Sequence, residues 1–281
     1  DIGIPMEGRE IHSPEGQLSF QRYSAIPGEA ILSISRGQLN CLLLDAMDSR
    51  STVKAIFNTA IESIDLDTAT VQISDSQVIG GDLIIGADGA GSMVRAVMDQ
   101  ISERESETEF IDARYKELHI PPTENGQWRM SRQALHIWPR GEAMMIALPN
   151  LDGSFTVTCF WPKSMFEEVK ESGEIMSYFS TVYPDAVAHM PNLETDFQDN
   201  PESLLGTVRC HHFNYGSTAA LIGDAAHAIV PFFGQGMNAG LQGALQLKRA
   251  MASETEVDSA LARYDSVHRP DALAIADLAL K

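Results

Sequence analysis

Residues 220–240 read ALIGDAAHAIVPFFGQGMNAG, and this stretch decides the fold. An apolar run ends at Gly223 and places Asp224 at its carboxyl end, the pattern of a buried strand that runs into a loop. A glycine-rich turn at residues 234–236 then precedes a predicted helix that continues to Met251. The first turn of a helix has free backbone N–H groups and a positive dipole end, which suits an anionic group. The stretch therefore predicts a strand, a turn and a helix arranged around a polar ligand.

A second stretch of the same kind is found at residues 83–95, which read LIIGADGAGSMVR. An apolar strand is again followed by an aspartate, Asp88, and small residues after it allow a ligand to approach the backbone. Ligands of open α/β sheets bind at the carboxyl ends of strands. The dipeptide Asp88-Gly89 by itself is more often a plain turn, so the prediction of a shared ligand cleft depends on both stretches.

Composition and charge exclude some classes of partner. The 281 residues carry a formal net charge of −19, and 44% of them are hydrophobic. Such an acidic surface repels nucleic acid phosphates and anionic lipid, so we expect neither as a partner. No apolar run is long enough to cross a bilayer. The three cysteines lack paired spacing, which indicates buried thiols in a reducing compartment and no disulfide framework.

The remaining pattern mixes strands and helices without strict alternation. Ser35, followed three residues later by glutamine, predicts a helix start with a capping box. Residues 53–57 read as a strand and residues 166–179 as a helix. A further helix is predicted over residues 257–267, with Pro270 beginning the next one. These elements predict α/β layers joined to an α+β sheet.

The two stretches resemble the two internal flavin motifs of the class A FAD-dependent aromatic hydroxylases. Within that class, other segments make the sequence similar to the kynurenine 3-monooxygenase family, and the resemblance covers nearly the whole chain. These segments are GREIHSPEG at residues 8–16, ILSISRGQLN at 31–40, LHIWPRGEAMMIALPN at 135–150, YPDA at 183–186 and RPDALAIADL at 269–278.

The resemblance implies an α/β fold with an incomplete FAD-binding Rossmann-like domain of the glutathione-reductase type. An α+β substrate domain, built on a mostly antiparallel sheet, would be inserted into it. Residues 34–100 and 216–281 would form the FAD-binding domain. Residues 1–33 and 101–215 would form the substrate domain.

The resemblance also implies a function and its residues. FAD and NADPH would be the cofactors, and L-kynurenine would be hydroxylated to 3-hydroxykynurenine through a flavin hydroperoxide. Arg9 and Tyr23 match the residues that bind the substrate carboxylate. The apolar pocket around the aromatic ring matches Leu135, Ile146, Leu148 and Phe160, and the wall between substrate and flavin matches Pro231 and Phe232. Flavin contacts match Arg36, Asp88, Asp224, Gly236, Met237 and Asn238. No residue is certain to be catalytic, because the flavin carries the chemistry.

The sequence departs from the family pattern in three places. No G-x-G-x-x-G turn stands before Arg36, although the family uses that turn to hold the FAD pyrophosphate. The resemblance therefore predicts a chain that starts after that unit and stops before the family's C-terminal region. After Gly240 the family usually has an aromatic and two acidic residues, where this chain has Leu241, Gln242 and Gly243.

Two other functions remain open at this point: a class A hydroxylase of a phenolic acid, and an inactive fragment that acts only as a binding module. The Cys210-His211-His212 run is not expected to bind metal, since adjacent strand residues point to opposite faces. His227 is interpreted as part of the flavin pocket and not as a base. The compartment stays open. It is either the cytoplasm or, for an intact eukaryotic member of the family, the mitochondrial outer membrane, because this sequence shows no membrane segment of its own.

Overall fold

The computed structural model describes residues 2–73 and 77–280. The chain divides into two compact units. Unit 1 consists of Asp1–Ala55 and Asp112–Leu204, and unit 2 of Ile56–Ile111 and Leu205–Lys281. The domain boundaries expected from the sequence, and the assignment of each domain to cofactor or substrate, stay predictions.

The elements follow one another in this order. The strands are β1 (Gly3–Met6), β2 (Gly8–His12), β3 (Leu18–Arg22), β4 (Ile31–Ile34), β5 (Ile61–Asp65), β6 (Thr70–Ile73), β7 (Gln77–Gly80), β8 (Ile84–Gly86), β9 (Glu107–Ile120), β10 (Ala134–Arg140), β11 (Ala143–Pro149), β12 (Phe155–Pro162), β13 (Glu202–Arg209), β14 (Asn214–Tyr215) and β15 (Ala219–Leu221). The helices are α1 (Arg36–Asp48), α2 (Met93–Ser102), α3 (Lys163–Ser172), α4 (Ile175–Val182), α5 (Pro184–Val187), α6 (Leu193–Asp199), α7 (Asp224–His227), α8 (Gly236–Ser253) and α9 (Val257–Ala279), with a 3-10 turn at Pro231–Phe233.

The largest sheet has the strand order β13-β9-β12-β11-β10-β2-β3. The pairs β9–β12, β11–β12, β10–β11 and β2–β3 are antiparallel, whereas β2 and β10 are parallel. Buried and half-buried residues alternate along β11, as expected for a strand whose two faces have different surroundings. Together with the helices, this sheet confirms the expected fold class, a mixed α/β protein whose sheets are largely antiparallel.

The core of unit 1 lies between one face of this sheet and helices α3 to α6. Trp138, Met145 and Trp161 project from the strands and are fully buried. The ring of Trp161 stacks on Phe166 of α3 with 4.8 Å between centroids, and Phe179 of α4 packs against the same ring. Each such side chain contributes roughly 1.5–3 kcal/mol by leaving water. This burial fixes which face of the sheet the helices cover.

The core of unit 2 surrounds the three-stranded sheet β14-β15-β8. Leu221 and Ala226 are fully buried there with Tyr264 of α9. The Tyr264 hydroxyl donates to the Leu221 carbonyl at 2.9 Å, so the one polar atom of this buried ring is satisfied. Helix α9 is thereby held against the end of strand β15.

Three of the expected elements differ in the structure. Residues 53–57 form no strand: all are exposed, and β-branched residues favour a strand only where a pleated surface packs. The helix expected over residues 166–179 is two helices, α3 and α4, separated at Gly173 with φ of 69°. Helix α9 runs through Pro270 without interruption. Pro270 and Ser266, the residue whose carbonyl loses its N–H partner, are both exposed.

The predicted cap of α1 is confirmed, since the Ser35 side chain accepts a hydrogen bond from the Gln38 backbone N–H. Among the residues that the structure describes, no helix combines the length and apolar character needed to cross a membrane.

Candidate functional site

Two strand ends lie side by side in unit 2. Strands β8 and β15 pair in parallel, with Gly86 opposite Leu221. The Ile222 N–H donates to the Gly86 carbonyl at 2.9 Å, which extends the pairing beyond the last strand residues. Because parallel strands end at the same sheet edge, Asp88 and Asp224 both leave that edge, as the sequence predicted.

The carboxylate of Asp88 is directed at the start of helix α2. It accepts hydrogen bonds from the Ser92 hydroxyl at 2.6 Å, the Met93 N–H at 2.7 Å and the Val94 N–H at 3.3 Å. Ser92 in turn accepts from the Arg95 N–H at 3.0 Å. Asp88 therefore satisfies N–H groups that would otherwise lack partners at the helix end. The flavin contact expected of Asp88 stays a prediction.

Asp224 is placed differently. It is exposed, and within the described part of the chain its carboxylate accepts no hydrogen bond. It follows Gly223, whose φ of 59° and ψ of −142° turn the backbone sharply at the end of β15. A β-carbon on Gly240 would lie 3.5 Å from the Gly223 α-carbon, so helix α8 packs closely on this turn. The carboxylate and the first turns of α8 thus belong to one surface.

The start of α8 carries three residues expected to contact flavin: Gly236, Met237 and Asn238. Among the described residues, no side chain caps this helix end, and Met237 is 44% exposed. The Asn238 amide donates to the Gln235 side chain at 3.1 Å. The backbone N–H groups of this helix start are therefore available to a polar ligand.

Pro231 and Phe232, the expected wall between substrate and flavin, lie in the 3-10 turn just before α8. Phe232 is 41% exposed. The structure thus places this apolar turn in the chain segment between Asp224 and the start of α8.

His227 is buried in the core of unit 2. Its Nε2 lies 3.2 Å from Nε2 of His268, and burial lowers the pKa values of both rings. Neutral imidazoles can share a hydrogen bond at this distance, with one donating to the other. This arrangement gives His227 a packing role in the core, and its place in the flavin pocket stays a prediction. A β-carbon on Gly243 would lie 2.7 Å from His268 Nε2, so the glycine makes room for the ring.

The four residues expected to line the aromatic pocket share one face of the large sheet in unit 1. In the pairing registers, Met144 is opposite Phe160 and Ile137 is opposite Ile146. Side chains on paired and alternate positions point the same way. The face that is turned away from helices α3 to α6 therefore carries Leu135, Ile146, Leu148 and Phe160. The structure brings these residues together as the sequence predicted, although their contact with substrate stays a prediction.

Arg9 lies on the same face, because Leu135 is its partner in the parallel pairing of β2 and β10. The Arg9 Nε donates to the Gln21 side chain at 2.9 Å. Tyr23 is close enough for the Arg9 charge to act on its hydroxyl. Burial raises the pKa of Tyr23 and the Arg9 charge opposes this, so the phenol keeps its proton at neutral pH. The two residues therefore offer a cation and a hydroxyl donor next to the apolar face.

Arg36 is an exposed residue at the start of α1 in unit 1, where it forms an ion pair with Glu117 of β9. Its predicted flavin contact stays a prediction.

Sequence reasoning missed two groups of polar residues in unit 1. Gln21 orients Arg9, and no pattern in the sequence pointed to it. A partly buried network joins His12 and Asp185, whose ring nitrogen and carboxylate lie 2.6 Å apart. His12 lies in the GREIHSPEG segment and Asp185 in the YPDA segment. That both segments resemble the family was the available signal for this pair.

Comparison with known proteins now identifies the class. Residues 12–279 match the family described as FAD binding domain, and the chain belongs to that family. The tetrameric 2-methyl-3-hydroxypyridine-5-carboxylic acid oxygenase has a similar structure, with a TM-score of 0.81 and 17% identity over 99% of this chain and 72% of that one. At that identity the likeness shows the fold alone.

Curated relatives narrow the class and confirm the resemblance seen in the sequence. Kynurenine 3-monooxygenase of Flavobacterium psychrophilum is 40% identical over 289 residues, which cover 100% of this chain and 64% of that protein. Kynurenine 3-monooxygenase of Dictyostelium discoideum is 43% identical over 250 residues, covering 88% of this chain and 54% of that protein. The chain thus spans less than two thirds of the length of these relatives.

Proposed function

We propose that this chain forms the flavin- and substrate-binding part of an FAD-dependent, NADPH-using aromatic monooxygenase that hydroxylates L-kynurenine to 3-hydroxykynurenine. The observation that carries the proposal is the parallel pairing of β8 and β15, with the start of α8 packed on the turn after β15. The named relatives support the choice of substrate.

The residues at this sheet edge suit a flavin. Asp224 offers an exposed carboxylate that can accept hydrogen bonds from ribityl or ribose hydroxyls. The uncapped N–H groups at Gly236 to Asn238 can donate to the pyrimidine edge of the ring, where negative charge develops on reduction. Asp88 would act indirectly, by holding α2 and the loop that precedes it in place. When bound, the flavin supplies electron transfer from NADPH and the activation of dioxygen.

The substrate would be held on the sheet face of unit 1. The guanidinium of Arg9 pairs with the carboxylate of the amino acid, and the Tyr23 hydroxyl donates a further hydrogen bond. Leu135, Ile146 and Phe160 provide the apolar surface against which the aminoaryl ring packs. Fixing the two ends of the molecule separately determines which ring carbon is presented for reaction.

No side chain is assigned as a general base. The aminoaryl ring is already electron-rich, and the buried His227 is neutral because burial lowers its pKa. The chain's own residues therefore bind and orient the substrate, and they exclude water from the reacting atoms.

Flavin retention and product analysis test the proposal. The purified chain is mixed with FAD, separated from free FAD by gel filtration and examined for flavin absorbance. NADPH oxidation is then measured with L-kynurenine and with phenolic acids, and products are identified by mass spectrometry. Because no G-x-G-x-x-G turn is present to hold the FAD pyrophosphate, we expect only partial flavin retention; with FAD in excess, we expect oxidation stimulated by L-kynurenine, with 3-hydroxykynurenine formed.

Two outcomes contradict this. Stimulation by phenolic acids but not by L-kynurenine would identify a different aromatic hydroxylase. A folded chain that retains no FAD would leave a binding module without this activity.

A further inference from the structure

A buried cluster in unit 1 lies on the sheet face opposite Arg9 and Leu135. His12 of β2 and His136 of β10 are 4% and 0% exposed, and His12 Nε2 lies 2.9 Å from His136 Nδ1. Glu10 Oε2 is 3.4 Å from the same His136 nitrogen. One ligand atom from each of the three residues lies within 4.8 Å of the other two. Two imidazoles and a carboxylate therefore converge on one point.

The outer nitrogens of both rings are already engaged with acceptors. His136 Nε2 lies 2.8 Å from the Ser131 carbonyl oxygen, to which it can only donate. His12 Nδ1 lies 2.6 Å from Asp185 Oδ2, and the Trp138 indole donates to that same oxygen at 2.9 Å. Protons on these outer nitrogens leave two lone pairs facing each other across 2.9 Å. Either a proton on one of the inner nitrogens, which makes that ring an imidazolium, or a metal ion bound by both rings relieves that repulsion.

We propose that Glu10, His12 and His136 bind a divalent first-row transition metal ion. Histidine ligands in metal sites donate their second ring N–H to a carboxylate or a backbone carbonyl, which fixes the tautomer. Asp185 and the Ser131 carbonyl hold these positions here. The carboxylates of Glu10 and Asp185 offset the two positive charges of the ion, which a buried site requires.

The spacing of the rings favours an ion with ligands at right angles. At metal–nitrogen distances of about 2.1 Å, two cis ligands in an octahedral site are about 3.0 Å apart, whereas tetrahedral zinc needs about 3.4 Å. The observed 2.9 Å is compatible with the first geometry and is also an ordinary hydrogen-bond length. Two histidines and one carboxylate on one face, with open positions, are the known ligand set of such ions. The Glu10 side chain is 19% exposed, so the remaining positions are accessible to water from that side.

The proposed ion has a structural role and is independent of the proposed reaction. It links β2 to β10, and through Asp185 it reaches α5. The opposite face of the same two strands carries Arg9 and Leu135. Metal binding would therefore fix the register of the two strands that present the expected substrate pocket.

Cobalt binding tests the site without any need for turnover. The full chain is stripped of metal with a chelator, and Co²⁺ is titrated with absorption spectroscopy and calorimetry. We expect saturable binding of one ion per chain and a rise in Tm of roughly 5–10 °C at saturation. His136→Gln should abolish binding, and Asp185→Asn should weaken it about 10- to 100-fold. Zn²⁺ should bind less tightly than the general affinity order predicts, because the rings must separate.

His119→Gln is the matched control, since His119 is an exposed residue of β9 in the same sheet and should leave binding unchanged. Glu10→Gln preserves size at a partly exposed position, so it tests the site even if a histidine variant fails to fold. Absence of saturable binding by the folded chain would overturn the proposal and leave a proton shared by the two histidines. Binding that is equally strong in Glu10→Gln and His119→Gln would also overturn it, by locating the ion elsewhere.

Discussion

Replacing Arg9 with alanine should weaken the binding of L-kynurenine about 5- to 30-fold. A hydrogen bond to a charged group contributes about 1.5–3 kcal/mol when its environment is protected from water. Arg9 is exposed, and its Nε is already bonded to Gln21, so only the outer edge of the guanidinium faces a ligand. We therefore expect about 1–2 kcal/mol, which corresponds to that range of dissociation constants.

Calorimetry on the chain with FAD present measures this effect, and kynuramine, which lacks the carboxylate, isolates it. The affinity for kynuramine should change less than twofold in Arg9→Ala, because the carboxylate is the group that Arg9 binds. Arg22→Ala is the matched control: Arg22 lies in the partner strand of the same hairpin and pairs with Glu7. An equal loss of affinity for both ligands, or none for L-kynurenine, would refute the assignment of Arg9.

Three further predictions concern unit 2. Asp88→Ala should lower Tm by about 2–5 °C, since a lost helix cap costs about 1–2 kcal/mol. Asp224→Ala should instead weaken FAD retention and leave Tm unchanged. Thermal melts and flavin absorbance measure the two effects, and the reverse pattern would exchange the roles of the two aspartates. Gly243→Ala should destabilise the fold by about 1–3 kcal/mol in urea unfolding because its β-carbon would lie 2.7 Å from His268 Nε2, and an unchanged midpoint would contradict that packing. Burial lowers the pKa of His268 to about 4 from 6.5, so the unfolded chain binds a proton that the fold does not, and stability should fall by at most about 3 kcal/mol as the pH drops from about 6.5 to 4. His268→Gln should remove this part of the pH dependence while His211→Gln keeps it, and identical profiles for the two variants would disprove it.

The predictable part of the fold came from local signals. The apolar runs that end before Asp88 and Asp224 predicted two buried strands. Both strands are present, and β15 is buried as predicted. The prediction of burial is wrong for β8, which lies at the edge of its sheet with Ile85 48% exposed. Ser35 predicted the start of α1 because capping involves only residues within one turn. The strand predicted for residues 53–57 was wrong, because β-branched side chains indicate a strand only where another strand is available to pair with them.

The candidate site likewise combines features that local spacing predicts with features that it does not. The alternation of Ile146 and Leu148 was enough to predict that they share a face. By contrast, the engagement of Asp88 with α2 and the orientation of Arg9 by Gln21 depend on side-chain directions that spacing does not reveal.

By itself, the sequence determined the family, the strand that precedes each aspartate, and the residue types available for flavin and substrate, because these properties reside in short contiguous segments. Only the tertiary structure decided that β8 and β15 are parallel neighbours and that His12 meets His136 and Asp185. The physical reason is that strand pairing and burial join residues more than a hundred positions apart, and the energy of those contacts depends on packing that no local pattern encodes.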